Sequence, residues 1–112
     1  MKSNGGSIDI QAMRLAALQA SGLLKALGNP DRLLLLCQLS QSEQSVGELE
    51  TLTAIVQPTL SQQLSVLREE SLVSTRREGK QIFYSIASKP AMAVMQVLYE
   101  QFCDTDAGEG ND

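Results

Sequence analysis

Histidine and tryptophan are absent from the 112-residue chain, and only 4% of its residues are aromatic. Without histidine, the chain lacks the usual general base of enzymes and the commonest protein ligand of transition metals. The two cysteines, Cys37 and Cys103, are too far apart in sequence to form a CxxC redox pair or a zinc-finger spacing. We therefore expect a protein that is not an enzyme and that holds no metal or cofactor.

Long apolar segments are also missing. No run approaches the roughly 18 apolar residues that a membrane-spanning helix requires. The N-terminal residues 1–7 are polar and lack the apolar centre of a signal peptide. We therefore expect a cytoplasmic protein with no membrane partner.

The acidic excess, a net charge of −4, is concentrated at one end of the chain. Four acidic residues lie in the tail at 104–112, and the rest of the chain is electrically balanced. A neutral domain can still bind DNA if its basic groups share one face. We expect a disordered N-terminus at 1–7, one domain at 8–103, and an acidic, disordered tail at 104–112.

The apolar pattern predicts four helices in the first 70 residues, at 8–27, 31–39, 46–53 and 57–70. The first helix carries a coiled-coil-like stripe. Its members are Ile10, Met13, Ala17, Ala20, Leu24 and Leu27. Asn29 and Pro30 suit the start of the leucine-rich second helix. Ser45 and Glu48 match a capping box at the start of the third helix.

The pattern changes to β-forming residues after position 71. Segments 72–77 and 81–86, joined by a turn at 78–80, predict a β-hairpin, and a final helix follows from Ser88 to Cys103. A short helix, a turn and a second, polar-fronted helix form a helix-turn-helix, to which the hairpin adds a wing. The predicted fold is mainly α, a winged helix-turn-helix. The first and last helices favour a homodimer, unless their apolar stripes pack on their own subunit.

Four segments, in this order and spacing, resemble the ArsR/SmtB family of bacterial repressors: 25–33, 45–49, 57–68 and 79–86. Two positions depart from the family pattern. Val56 stands where the family often has a capping serine, and Gln63 stands where it often has histidine. The resemblance implies a transcriptional repressor that binds double-stranded DNA as a two-fold dimer and reads an inverted repeat.

The polar start of the fourth helix and the wing hold the candidate DNA contacts. They are Gln57, Thr59, Ser61, Gln62 and Gln63 in the helix, and Arg77, Lys80 and Gln81 in the wing. Glutamine can pair bidentately with adenine, and basic groups bind phosphates. Arg76 and Arg77 are strand neighbours that point to opposite faces, so only one can face DNA. The alternative is a solvated polar surface, or a winged helix that binds other proteins.

The family resemblance also bears on what the protein senses. Metal-sensing members carry cysteines at the third helix or His/Asp sets on the last helix, and this chain has neither. It is similar instead to the two-cysteine branch, which includes persulfide-responsive repressors of the SqrR and BigR type and the haemolysin regulator HlyU. That resemblance implies that Cys37 and Cys103 sense reactive sulfur species or oxidants through an intramolecular disulfide or polysulfide bridge. The alternative is a buried, inert Cys37 in a constitutive DNA-binding anti-silencer.

Overall fold

The computed structural model describes residues 9–103, and the predicted order of helices and hairpin is confirmed. The elements are α1 (Ile10–Leu27), α2 (Pro30–Gln41), β1 (Gln44–Ser45), α3 (Val46–Thr53), α4 (Thr59–Glu69), β2 (Val73–Glu78), β3 (Gln81–Ile86) and α5 (Lys89–Leu98). A π-helical turn, Tyr99–Cys103, extends α5 to the end of the described chain. The predicted disorder at 1–7 and 104–112 lies outside the described residues. No helix between residues 9 and 103 has the length and apolarity needed to cross a bilayer.

Side-chain caps explain where the helices begin. The Asn29 carboxamide accepts the backbone N–H of Arg32 at 3.0 Å. The capping box at α3 is complete, because the Ser45 hydroxyl accepts the Glu48 N–H and the Glu48 carboxylate accepts the Ser45 N–H. The Ser88 hydroxyl accepts the Ala91 N–H at the start of α5. The caps expected at Asn29, Ser45 and Ser88 are thus present.

Three predicted boundaries were wrong. Helix α1 begins at Ile10 and not at residue 8, because Asp9 is its N-cap. Gln44 and Ser45, predicted as the end of a loop and a cap, also form strand β1, which pairs antiparallel with Tyr84 and Phe83 and gives a sheet of order β1-β3-β2. A two-residue strand is too short to show a period of two in the sequence. Helix α4 begins at Thr59 and not at residue 57, because the chain first makes a turn there.

The core is built mostly from leucines. The fully buried large side chains are Leu35, Leu36, Leu49, Leu60, Leu67 and Met95. Helix α2 supplies two of them and packs against α1, α3, α4, α5 and β3, so it lies at the centre of the fold. The density of leucines in its sequence predicted this burial, and the structure confirms it.

Large apolar side chains remain exposed on α1 and around the end of α5. In α1 only Ala26 and Leu27 are buried, so most of the predicted stripe does not pack within the chain. The exposed members on these two elements are Ile10, Met13, Leu15, Leu18, Leu24, Val97, Tyr99 and Phe102. A single subunit therefore leaves the surface of α1 and the end of α5 without a covering layer.

Truncation of the core helix should destabilise the protein strongly. Leu36 is fully buried, so we expect Leu36→Ala to lower the free energy of unfolding by about 2–5 kcal/mol. Leu34→Ala on the same helix is the matched control, because Leu34 is 39% exposed and its truncation leaves no enclosed cavity. Urea unfolding at one fixed protomer concentration measures both. Equal losses for the two variants would contradict the central role of α2.

Candidate DNA-binding face and thiol pair

The turn between α3 and α4 determines which side chains stand at the start of α4. Ala54 adopts a left-handed backbone (φ 63°) and ends α3, with its N–H donating to the Glu50 carbonyl. Ile55 then enters the core at 8% exposure, whereas its neighbour Val56 is 61% exposed. Helix α4 buries Leu60, Leu64 and Leu67, which leaves its other side outward.

Gln57 takes over the capping role that a serine at position 56 would have. Its side-chain carbonyl accepts both the backbone N–H of Ser61, at 3.1 Å, and the Ser61 hydroxyl, at 2.7 Å. Pro58, directly before the helix, makes no side-chain cap. Two of the predicted DNA contacts, Gln57 and Ser61, are therefore exposed but held against each other, which fixes the first turn of the helix.

Arg32 joins three helices at the side of α4, a contact that sequence reasoning missed. Its guanidinium donates to the Gln63 side-chain carbonyl at 2.9 Å and to the Ala26 backbone carbonyl at 2.7 Å. A third, longer bond of 3.4 Å reaches the Lys25 carbonyl. Arg32 lies in the first turn of α2, and its hydrogen bonds link the end of α1 to α4. No local pattern relates residues 31 positions apart, and the sequence therefore carries no signal for this contact.

The five predicted α4 residues are consequently not equivalent. Gln63 is half-buried, and its carbonyl oxygen is engaged by Arg32. Thr59 is also half-buried. Gln62 is exposed, and its side chain makes no hydrogen bond to any residue between 9 and 103. Gln62 is thus the member of the set whose amide is presented outward with both donor and acceptor free.

The structure separates the two neighbouring arginines of the wing. The Arg76 guanidinium makes two 2.8 Å bonds to Glu43 and a third to Glu78, and it lies 4.8 Å from the centre of the Phe83 ring. These bonds hold the pKa of the Glu43 carboxyl below its usual value, mainly through the hydrogen bond from Arg76. Arg76 therefore has a structural role, joining the α2–β1 loop to the wing.

Arg77 is the wing arginine that has no hydrogen-bond or ion-pair partner within the described residues. Arg77, Lys80 and Gln81 are all exposed, and none of their side chains forms a hydrogen bond or ion pair within the described part of the chain. Gly79 makes the tight hairpin possible, because its φ of +65° is unfavourable for other residues. The tip of the wing thus presents two cationic side chains to solvent.

Cys37 and Cys103 are brought together from distant parts of the sequence. Both are free thiols, Cys37 half-buried on α2 and Cys103 exposed at the end of the π-helical turn. They line one pocket of about 280 Å³ with Leu33, Leu98 and Phe102. Burial, followed by the proximity of Cys103, raises the pKa of the Cys37 thiol. Among residues 9–103, no three His, Cys, Asp or Glu side chains come together as a metal site would require.

The chain is similar in sequence to known bacterial regulators. Residues 29–75 match the model for the bacterial regulatory proteins of the arsR family. The chain is 53% identical to the biofilm growth-associated repressor of Agrobacterium fabrum over 98 residues, which are 88% of this chain and 84% of the relative. The chain belongs to the ArsR family. The matched segment covers α2 to the start of β2, and so includes Cys37 but not Cys103.

Solved structures extend the similarity across the described fold. The repressor BigR from Xylella fastidiosa superposes with a TM-score of 0.78 at 48% identity, covering 86% of this chain and 98% of that one. A homodimeric winged helix-turn-helix DNA-binding domain from Mycobacterium bovis has a TM-score of 0.68 at 29% identity, covering 97% of this chain and 98% of that one. The predicted winged helix-turn-helix fold is thereby confirmed, with α3 and α4 as the helix-turn-helix and β2 and β3 as the wing.

The two thiols of this ArsR-family chain should differ in reactivity. Because the pKa of Cys37 is raised, its thiolate fraction at neutral pH is below that of an ordinary cysteine, whose pKa is about 8.5. We expect the rate at which iodoacetamide alkylates Cys37 in Cys103→Ser to rise with pH, with a midpoint above that of an ordinary cysteine. Burial, the larger cause of the shift, persists in that variant.

The control is Cys37→Ser, which retains only the exposed Cys103 and should be alkylated faster at pH 7.5. Mass spectrometry of quenched time points gives both rates. A titration midpoint for Cys37 below about 8.5 would contradict the assignment.

Proposed function

We propose that this chain is a transcriptional repressor whose dimer binds an inverted DNA repeat and releases it when Cys37 and Cys103 become bridged. The observation that carries the proposal is the shared pocket, in which α2 and the end of α5 each contribute one free thiol. The fold of a DNA-binding regulator and an apolar dithiol site are then present in one small domain. The repressor names of the Agrobacterium and Xylella relatives support the direction of regulation.

The DNA contacts follow from the way a winged helix docks. The N-terminal half of α4 enters the major groove, where Gln62 reads a base edge and Gln57, Thr59, Ser61 and Gln63 contact or orient the backbone. In the wing, Arg77, Lys80 and Gln81 reach phosphates or the minor groove. The near-zero net charge of the domain is compatible with this role. Arg76 is paired within the chain, but Arg77 and Lys80 are exposed on the wing and have no ion-pair partner within the described residues.

Dimerisation would cover the apolar surface that one subunit leaves open. Leu18 and Leu24 on α1 are 68% and 60% exposed, and Phe102 after α5 is 81% exposed. Several exposed large apolar side chains on one helix are typical of an interaction site. The homodimeric relative from Mycobacterium bovis supports a second copy as the partner. A two-fold dimer places two copies of α4 about one DNA turn apart.

Two thiol-exchange steps account for sensing. The Cys103 thiolate attacks the outer sulfur of an organic persulfide, so that a thiolate leaves and Cys103 carries the persulfide. The Cys37 thiolate then attacks the inner sulfur and expels hydrosulfide, which yields a disulfide. If the terminal sulfur of the Cys103 persulfide first attacks the outer sulfur of a second persulfide molecule, a second thiolate leaves and the chain on Cys103 grows by one sulfur. The Cys37 thiolate then attacks the sulfur next to the terminal one and expels hydrosulfide, which yields a trisulfide. The pocket of about 280 Å³ between the two thiols provides room for that atom.

Release of DNA follows from the position of α2. The bridge would join α2 to the end of α5, and α2 also carries Arg32, which holds Gln63 on the recognition helix. A bridged dimer that favours a different spacing of the two α4 helices binds DNA less tightly by the free-energy difference between the two forms. A difference of about 3 kcal/mol lowers affinity roughly a hundredfold.

The DNA-binding surface can be tested on a duplex selected from a random pool by the reduced protein. We expect Gln62→Ala to weaken specific binding by about 1–3 kcal/mol, because a base contact is lost. Lys80→Ala should weaken all sequences alike and lower the salt slope by about one per phosphate contact removed. Lys89→Ala is the control, since Lys89 is equally basic and exposed but lies on α5. If the reduced dimer selects no inverted repeat, the proposal fails.

The thiol switch can be tested with Cys37→Ser, Cys103→Ser and the double variant. All three should bind the selected duplex as the reduced wild type does. Only the wild type should release it after treatment with glutathione persulfide, because a bridge needs both partners. Non-reducing mass spectrometry should find a link within one chain. Normal release by either single variant, or links between chains alone, would refute the switch and leave the DNA-binding role standing.

A further inference from the structure

Val56 is a large apolar side chain that is mostly exposed and lies at the entrance to the recognition helix. It is 61% exposed, and it takes no part in the core cluster of the described residues. The preceding residue, Ile55, anchors the turn in the core, so Val56 is not needed for that purpose. The side chain therefore stands in solvent immediately before the residues that would meet DNA.

The backbone places Val56 at the N-terminal end of α4. Its carbonyl accepts the N–H of Leu60 at 3.0 Å, which holds the turn two residues before the Pro58 N-cap against the first turn of α4. Its side chain cannot cap the helix, and the Gln57 carbonyl performs that task through Ser61. Capping and packing thus both leave the isopropyl group unused.

We propose that Val56 selects thymine in the operator by contact with its C5-methyl group in the major groove. This inference rests on the proposed DNA-binding function. Residues at the start of a recognition helix are the ones that reach base edges. An isopropyl group has no donor or acceptor, so it distinguishes bases only through apolar contact, and thymine alone among the four bases presents a methyl group in that groove.

The contact can be isolated by removing the methyl group from the DNA. A preferred duplex is first selected by the reduced wild-type dimer, and its thymines are then replaced by deoxyuridine, one symmetric pair at a time. Deoxyuridine keeps every hydrogen-bonding atom of thymine and lacks only the methyl group. We expect one thymine position in each half-site to lose about fourfold in affinity per methyl, and about fifteenfold for the pair.

Three variants test whether the loss of affinity at deoxyuridine depends on Val56. Val56→Ser replaces the apolar group by a hydroxyl, and because serine can also cap a helix start this variant should fold as stably as the wild type. It should bind thymine and deoxyuridine equally at that position, whereas Val56→Ala, which keeps one methyl group, should show a smaller loss than the wild type. Leu52→Ala is the matched control, because Leu52 is 55% exposed but lies on α3. At each deoxyuridine position, Leu52→Ala should lose as much affinity as the wild type.

Two results would overturn the inference. If the folded Val56→Ser variant keeps the wild-type loss at every deoxyuridine position, or if the wild type loses nothing at any of them, Val56 does not read a methyl group and DNA binding itself stands. If the wild type selects no duplex, the proposed function falls and this inference with it.

Discussion

Burial of the leucine face of α2 is the interaction on which the rest of the structure depends. Leu35 and Leu36 are fully buried, and α2 contacts four other helices and the middle strand. Burying side chains of this size contributes about 1.5–3 kcal/mol each before cavity effects are counted. Because α2 contacts the four other α-helices and β3, a change in its position would alter the packing of each of these elements.

The same helix carries the two groups on which the proposed link between sensing and DNA recognition depends. Cys37 faces the pocket that the end of α5 completes, and Arg32, near the start of α2, holds Gln63 on α4. Packed interiors do not deform continuously, so a covalent link at one end of α2 is expected to act by favouring one of a few discrete arrangements. In the proposed switch, a change at Cys37 would therefore reach α4 through the packing of α2 and through the bond from the Arg32 guanidinium to Gln63.

The wing and the recognition helix divide their polar residues between structure and contact. All four side chains are exposed, but Arg76 and Gln57 bond to partners within the chain, whereas Arg77 and Gln62 form no side-chain hydrogen bond within residues 9–103. Residue type alone does not distinguish the members of either pair. The distinction arises because Glu43 reaches the wing from the α2–β1 loop and Ser61 lies one turn beyond Gln57.

Local patterns in the sequence determined the element order, the helix starts at Asn29, Ser45 and Ser88, and the burial of α2, because caps and apolar periodicity act over a few residues. They also identified the family, whose motifs lie in contiguous segments. Only the tertiary structure decided that most of the α1 stripe stays uncovered, that Gln44 and Ser45 pair with β3, that Arg32 holds Gln63, and that the two thiols share a pocket. Each of these depends on contacts between residues that are distant in sequence, and no pattern within a short segment of the sequence indicates such contacts.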